Sequence, residues 1–184
     1  MTTTPAPDAE AALPGVVVTR RLRLPVITPE QAAAMRSGRR DPSWHRDFPR
    51  EDDIDGSSMP SVRGWGSRLV VRAFDGLVCG SIGFFGPPTE HGDPSTGLGT
   101  AGVLETEVGY GLVEEARGHG LATEALQGLT ALTDELGVRL RASVAPENTA
   151  SVRVLAKCGF TQLRGTTDAG ELVMVRPTAG RPSV

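Results

Sequence analysis

The sequence is short of several things that would announce a function. It has two cysteines, Cys79 and Cys158, far apart and in no CxxC pair, and its three histidines are not clustered. That excludes a disulfide framework and argues against a metal site, so no metal is expected. Aromatic residues make up only 4% of the chain, so its core has to be mainly aliphatic. Lys157 is the sole lysine and Tyr110 the sole tyrosine; the other basic residues are arginines, a bias that GC-rich coding explains before chemistry does. No apolar run approaches the roughly 18 residues of a membrane span, and Met1–Pro14 has neither the basic start nor the apolar stretch of a signal peptide. The expectation is a cytoplasmic protein with reduced thiols and no membrane partner. With 19 basic against 22 acidic residues and a formal charge of −3, nothing draws the chain as a whole to nucleic acid.

What is present suffices for one domain: 184 residues, 39% hydrophobic and 22% charged, with 23 glycines and 14 prolines in no repeating period. The expected limits are a single domain over 15–176, a mobile N-terminal tail over 1–14 and a C-terminal tail over 177–184. Val16–Thr19 and Leu22–Ile27 are β-prone. Thr28-Pro29-Glu30-Gln31 combines an N-cap, a proline at the first helical position and a capping-box glutamine, so a short helix through Met35 follows. Arg36–Arg68 suggests short helical pieces and loops over a pocket, with Trp44, Trp65 and, further on, Phe85 as candidate lining.

Asp75-Gly76 between Leu69–Phe74 and Leu77–Phe84 is a hairpin signal. Gly86–Gly102 lacks any apolar period and is expected to be an irregular, mobile loop gating an acceptor site. Leu104–Val113 predicts a strand. Leu121, Ala125, Leu129, Leu132 and Leu136 then form one helical face, stopped by Gly137. Arg139–Val144 predicts a strand, Asn148–Cys158 a helix capped by Asn148, and Phe160–Leu163 with Glu171–Val175 a closing hairpin. Strands first, then alternating strands and helices, indicate an α+β domain with a mixed sheet.

Chemistry concentrates in Val108–Ala125, where a strand enters a glycine-containing turn and then an amphipathic helix. Such a turn leaves unpaired N–H groups at a helix N-terminus, where negative charge is favoured. Gly118 and Gly120 permit close backbone approach, so the segment Gly118–Thr123 predicts a phosphate or pyrophosphate site. Neither a P-loop nor a dinucleotide fingerprint fits: Leu121-Ala122 stand where a P-loop has Lys-Ser/Thr, and no third glycine completes G-x-G-x-x-G.

Arg117-Gly118-His119-Gly120-Leu121-Ala122 resembles the R/Q-x-x-G-x-G/A signature of the GNAT N-acetyltransferases. Glu107-Val108-Gly109-Tyr110 and the segment from Asn148 through Ser151 to Lys157-Cys158-Gly159-Phe160 are similar to the Rim-type branch, which acetylates ribosomal-protein N-termini and related amines. The resemblance spans about Thr19–Val175 and implies the GNAT fold, a mixed, mostly antiparallel sheet flanked by helices. It further implies acetyl-CoA as co-substrate, a small-molecule amine or protein N-terminus as acceptor, and a monomer or homodimer.

On that resemblance, the N–H groups of Gly118, His119, Gly120, Leu121, Ala122 and Thr123 hold the pyrophosphate, with Arg117 supporting the loop or meeting phosphate. Tyr110, Gly111 and Leu112 pair with the pantetheine arm as an added strand and polarise the thioester carbonyl, and Asn148 completes the cofactor set. The tyrosine that many members carry seven positions after the motif asparagine is replaced here by Leu155. Ser151 is then the candidate acid for the leaving sulfur, against a helix-start serine that bonds its own turn. Glu107 is the candidate base, reaching the amine through water, or the anchor of the cationic amine, or the partner of an arginine. Nothing supports a cysteine nucleophile, so the amine is expected to attack acetyl-CoA directly in a ternary complex. The alternative function is a non-catalytic acyl-CoA-binding or sensing module.

Overall fold

The computed structural model describes residues 11–91 and 103–177. Alternation sets the first strands: in β1 (Val16–Val18) and β2 (Leu22–Pro25), Val17, Leu22 and Leu24 are buried while Val18 and Arg23 face solvent. Helix α1 (Pro29–Arg36) begins with the expected capping box, Thr28 Oγ1 accepting from Gln31 N at 3.2 Å and Gln31 Oε1 from Thr28 N at 3.0 Å. A loop region and α2 (Glu51–Gly56) precede the Asp75-Gly76 hairpin, which joins β3 (Ser67–Arg72) to β4 (Val78–Phe84) with Gly76 at φ 72°.

Among the described residues nine strands form one mixed sheet, eight in the order β1-β2-β3-β4-β6-β7-β9-β8 and the ninth, β5, beside β6. Strand β6 (Val103–Leu112) is its pivot. Along Val108–Leu112 it pairs antiparallel with Gly80–Phe84 of β4, and the short β5 (Thr89–His91) pairs with Val103–Glu105. Its other edge meets β7 (Arg139–Val144), the single parallel neighbour among the described residues, and only from Glu105↔Arg139 to Glu107↔Arg141. Beyond that point β6 and β7 separate. Helix α3 (Leu121–Glu135) joins them across the sheet, α4 (Thr149–Lys157) follows β7, and β8 (Gln162–Thr166) and β9 (Leu172–Arg176) close the domain. The α+β expectation of a mostly antiparallel sheet flanked by helices is met. Among the described residues no helix is long and apolar enough to cross a membrane.

Three details differ from expectation. The stretch after Gly86 is not wholly irregular, because β5 extends the sheet where Thr89 pairs with Glu105; residues 92–102 of the expected gate lie outside the described residues. The buried stripe of α3 is Leu121, Ala125, Leu126, Leu129, Thr130 and Thr133, with Leu132 and Leu136 only half-buried. Leu126 is in full contact with the core, and the Thr133 hydroxyl is accepted by Thr130 O at 3.0 Å, which lets a polar residue sit inside. The expected N-terminal tail also ends earlier than Pro14. Leu13 is buried, Trp65 Nε1 donates to Ala11 O at 2.9 Å, and the buried Arg68 donates to Pro14 O at 2.9 Å. Small apolar residues that look featureless in sequence are here held by side chains from β3 and the loop before it.

The core is mainly aliphatic, but the scarce aromatics are concentrated in it: Trp44, Phe48, Trp65, Phe84 and Phe160 are all buried.

Candidate active site

Where β6 and β7 separate, a cavity of about 480 Å³ opens, lined by residues of β4, β6, β7, α2 and α4. Its floor includes Gly109 and Tyr110, and its far wall Ser143 and Ser151. Among the described residues the edge of β6 facing β7 has no strand partner from Val108 onward, which leaves room beside Val108 and Tyr110 for an extended ligand. Of the three aromatics expected to line a pocket, Phe85 does so, half-exposed and packed so closely on Gly109 that a Cβ there would lie 2.8 Å from its ring. Trp44 and Trp65 belong to the core, buried at 5% and 1% exposure.

Ser151 lies on the first turn of α4. Asn148 Oδ1 accepts from Ser151 N at 3.1 Å, so the asparagine is the helix cap as well as a lining residue. The Ser151 hydroxyl makes no hydrogen bond among the described residues. The Tyr110 hydroxyl donates to Ser151 O at 3.1 Å and ties this turn to β6 across the gap. Burial pushes the Tyr110 phenol up to about 12, keeping it a donor at any ordinary pH.

Glu107 does not line the cavity. Its carboxylate pairs with Arg141 Nη2 at 3.0 Å and accepts from Ser143 Oγ at 2.8 Å. Of the roles expected for it, the pairing with an arginine is present, and Ser143, which lines the cavity, is hydrogen-bonded to it. One pleat earlier, the buried Glu105 accepts from Arg139 Nε at 2.6 Å and from Arg164 Nη1 and Nη2 at 2.8 and 2.7 Å. Burial opposes ionisation there, but the bonds from Arg164 and Arg139 prevail and hold its carboxyl below the usual range. These pairs brace the closed end of the split.

The glycine turn lies at the N-terminus of α3. Gly118 (φ 81°) and the N-cap Gly120 (φ 75°) are left-handed, and nothing stands within 4 Å of a Cβ position at Gly118. The N–H groups of Leu121, Ala122 and Thr123 have no acceptor among the described residues, and no side chain caps the helix. Arg117 Nε donates to Leu112 O at 3.0 Å, which is the loop-supporting role. His119 is exposed, its carbonyl accepting from Arg21 Nη1 at 3.1 Å. Leu121 points into the core and offers only its backbone. Both thiols are buried, and burial raises each to about 11, so neither is a nucleophile at neutral pH.

Sequence patterns did not find Arg21 or the trio Arg50, Asp53 and Ser81. Arg21 grips the loop from β2's side of the sheet, its Nε donating to Glu124 Oε2 at 2.6 Å. Asp53 is fully buried and accepts from Arg50 and from Ser81 Oγ at 2.5 Å. Each pairing joins segments far apart in the chain, so no local motif marks it; a run of acids at Glu51-Asp52-Asp53 looks like a solvated surface in sequence alone.

The profile of the family described as Acetyltransferase (GNAT) domain matches residues 21–161, most of the chain. No curated protein gives a significant match. Among solved structures, a GnaT-family acetyltransferase from Bordetella pertussis is similar at 25% identity and TM-score 0.57, over 88% of this chain and 98% of that one. An acetyltransferase from Agrobacterium tumefaciens str. C58 is 24% identical with TM-score 0.58, over 90% and 95% of the two chains. A ribosomal-protein-S5-alanine acetyltransferase from Vibrio fischeri shares the fold at 16% identity and TM-score 0.57, over 91% and 99%. The family uses acetyl-CoA as co-substrate and acts on amines. A split sheet beside an uncapped, glycine-rich helix N-terminus agrees with that profile, and the chain belongs to the GNAT acetyltransferase family as an N-acetyltransferase.

Proposed function

We propose that this enzyme transfers an acetyl group from acetyl-CoA to a primary amine, a protein N-terminal α-amine or a small-molecule amine, by direct attack in a ternary complex in the cytoplasm. The observation that carries the reading is the Ser151 hydroxyl, without a partner among the described residues, on the wall of the cavity that opens where β6 parts from β7. The residues present fit the co-substrate: N–H groups from Leu121 to Thr123 that have no acceptor among the described residues, with the left-handed Gly118 and Gly120, suit a pyrophosphate, and the edge of β6 at Tyr110 suits a pantetheine arm. Acetyl-CoA supplies a thioester carbonyl carbon for the new C–N bond and a thiolate that departs as the C–S bond breaks.

This chain's groups then have separate tasks. A backbone N–H of the Tyr110–Leu112 stretch donates to the carbonyl oxygen as charge develops on it. Ser151 Oγ gives its proton to the leaving sulfur and regains one from solvent. Tyr110 holds the turn that carries Ser151. The amine attacks in its neutral form, and as the C–N bond forms the surplus proton on its nitrogen passes to Ser143 Oγ, whose own hydroxyl proton moves along its bond to Glu107. The test is turnover of acetyl-CoA with a panel of amines and N-terminal peptides, followed as free thiol. Binding of acetyl-CoA without thiol release for any acceptor in the panel would overturn the catalytic reading.

A further inference from the structure

We propose that Arg50 recognises the acceptor, donating from Nη1 to an uncharged carbonyl oxygen one carbon beyond the carbon that bears the reacting amine; the proposal rests on the acetyl-transfer reading above. Arg50 precedes the first turn of α2, yet its side chain turns back and lines the cavity. Its Nε and Nη2 donate to the two oxygens of Asp53, at 2.9 and 2.7 Å, and its own backbone N–H donates to Asp53 Oδ2 at 2.8 Å. Asp53 is fully buried and also accepts from Ser81 Oγ, so the carboxylate is saturated and the guanidinium is fixed in one plane. That plane rests on β6 at Gly111, where a Cβ would come within 2.6 Å of Arg50 Cζ. A glycine at this position is what allows the cation to lie against the strand that carries the transfer chemistry.

One end of the fork is left over. Nη1 makes no hydrogen bond among the described residues; the nearest anion, Asp52, stands 3.9 Å away and is 88% exposed. Holding a buried carboxylate and a guanidinium together contributes little to stability compared with apolar packing, which points to a use for the group that is held. The charge around it selects the oxygen it takes. Asp53 balances Arg50, and the other charged lining residues, Asp52, Asp55 and Glu171, are all acids. A free carboxylate would meet net negative charge; a neutral carbonyl meets a preset donor, while the acids attract the ammonium form of the amine. The fitting class is an α-amino carbonyl compound whose carbonyl is neutral, as in an amide, in preference to a free amino acid or a carbonyl-free amine.

Three acceptors of similar size test this: alaninamide, alanine and isopropylamine. The wild-type enzyme is expected to have the lowest KM for alaninamide. Arg50→Lys keeps a cation for Asp53 but loses the fork, and Arg50→Gln combined with Asp53→Asn removes both charges together, so that folding is not burdened by a lone buried carboxylate. In both, the KM for alaninamide should rise about 10- to 100-fold, the worth of a hydrogen bond from a charged donor. The KM for isopropylamine and for acetyl-CoA should stay within about twofold. Equal losses for all three acceptors, or a wild-type enzyme indifferent to the carbonyl, would overturn the proposal. Saturation-transfer NMR of alaninamide on the CoA-loaded protein reads the same contact without turnover: loss of the signal in the variants supports it and retention refutes it. Binding without transfer to any acceptor would sink the acetyl-transfer reading instead.

Discussion

Replacing Ser151 by alanine removes one hydroxyl and nothing else that the fold uses. The backbone N–H of residue 151 still donates to Asn148 Oδ1, Tyr110 still donates to the carbonyl of residue 151, and the lost oxygen had no partner among the described residues. The stability change should stay within about 0.5 kcal/mol, as for a polar position outside any network. The effect on kcat should be large by comparison. General acid–base groups contribute about 10²–10⁴ in rate, and an open cavity lets water substitute in part, so kcat should fall roughly 10- to 1,000-fold, or about 1.4–4 kcal/mol of barrier. Acetyl-CoA affinity should hold, because the proposed pyrophosphate donors lie on a different helix. The assay is thiol release under conditions where chemistry limits turnover, with calorimetric affinity and thermal unfolding alongside. An unchanged kcat in a folded Ser151→Ala enzyme would refute the argument and leave Ser151 as a plain helix-start residue.

Gly120 should be tested with alanine, since a β-branched side chain at φ 75° would strain the backbone whatever the ligand does. Gly120→Ala should cost about 1–2 kcal/mol of stability and lower CoA affinity more than tenfold by calorimetry; full affinity in the folded variant would remove the loop assignment. Glu105→Gln breaks a buried arginine cluster and should cost about 3 kcal/mol at pH 7 in urea unfolding. Because the Glu105 carboxyl is depressed in the fold, its contribution is present above the unfolded value near 4.3 and is lost as pH falls through the folded one, so the variant's acid limb should be shallower; identical limbs would contradict this. As the sole tyrosine, Tyr110 should titrate at 295 nm near 12 in the folded protein. Its raised value also means that stability declines between about pH 10 and 12, and a midpoint near 10 would deny the buried bond.

Local chemistry made much of this protein legible from its sequence. The capping box at Thr28, the Asp75-Gly76 turn, the glycine turn into α3 and the Asn148 cap each depend on residues a few positions apart, and each formed where expected. So did the β6–α3–β7–α4 order around the site, because alternating and helical apolar periods are local properties as well. The roles of the charged side chains were less legible. Glu107 looks the same in sequence whether it meets an amine or Arg141, and only the parallel register of β6 on β7 decides for the arginine and brings the cavity-lining Ser143 to hydrogen-bond with the carboxylate. The burial of Leu13, the turn of Arg50 back onto Gly111 and the grip of Arg21 on the α3 loop likewise join segments remote in the chain. The sequence by itself determined the elements, their order and the backbone donors of the glycine turn before α3, since these follow from short-range sterics and hydrogen bonding. The tertiary structure alone decided which carboxylates are committed and which hydroxyl and guanidinium nitrogen have no partner among the described residues, because a pairing between distant charges exists only once the sheet has set their separation.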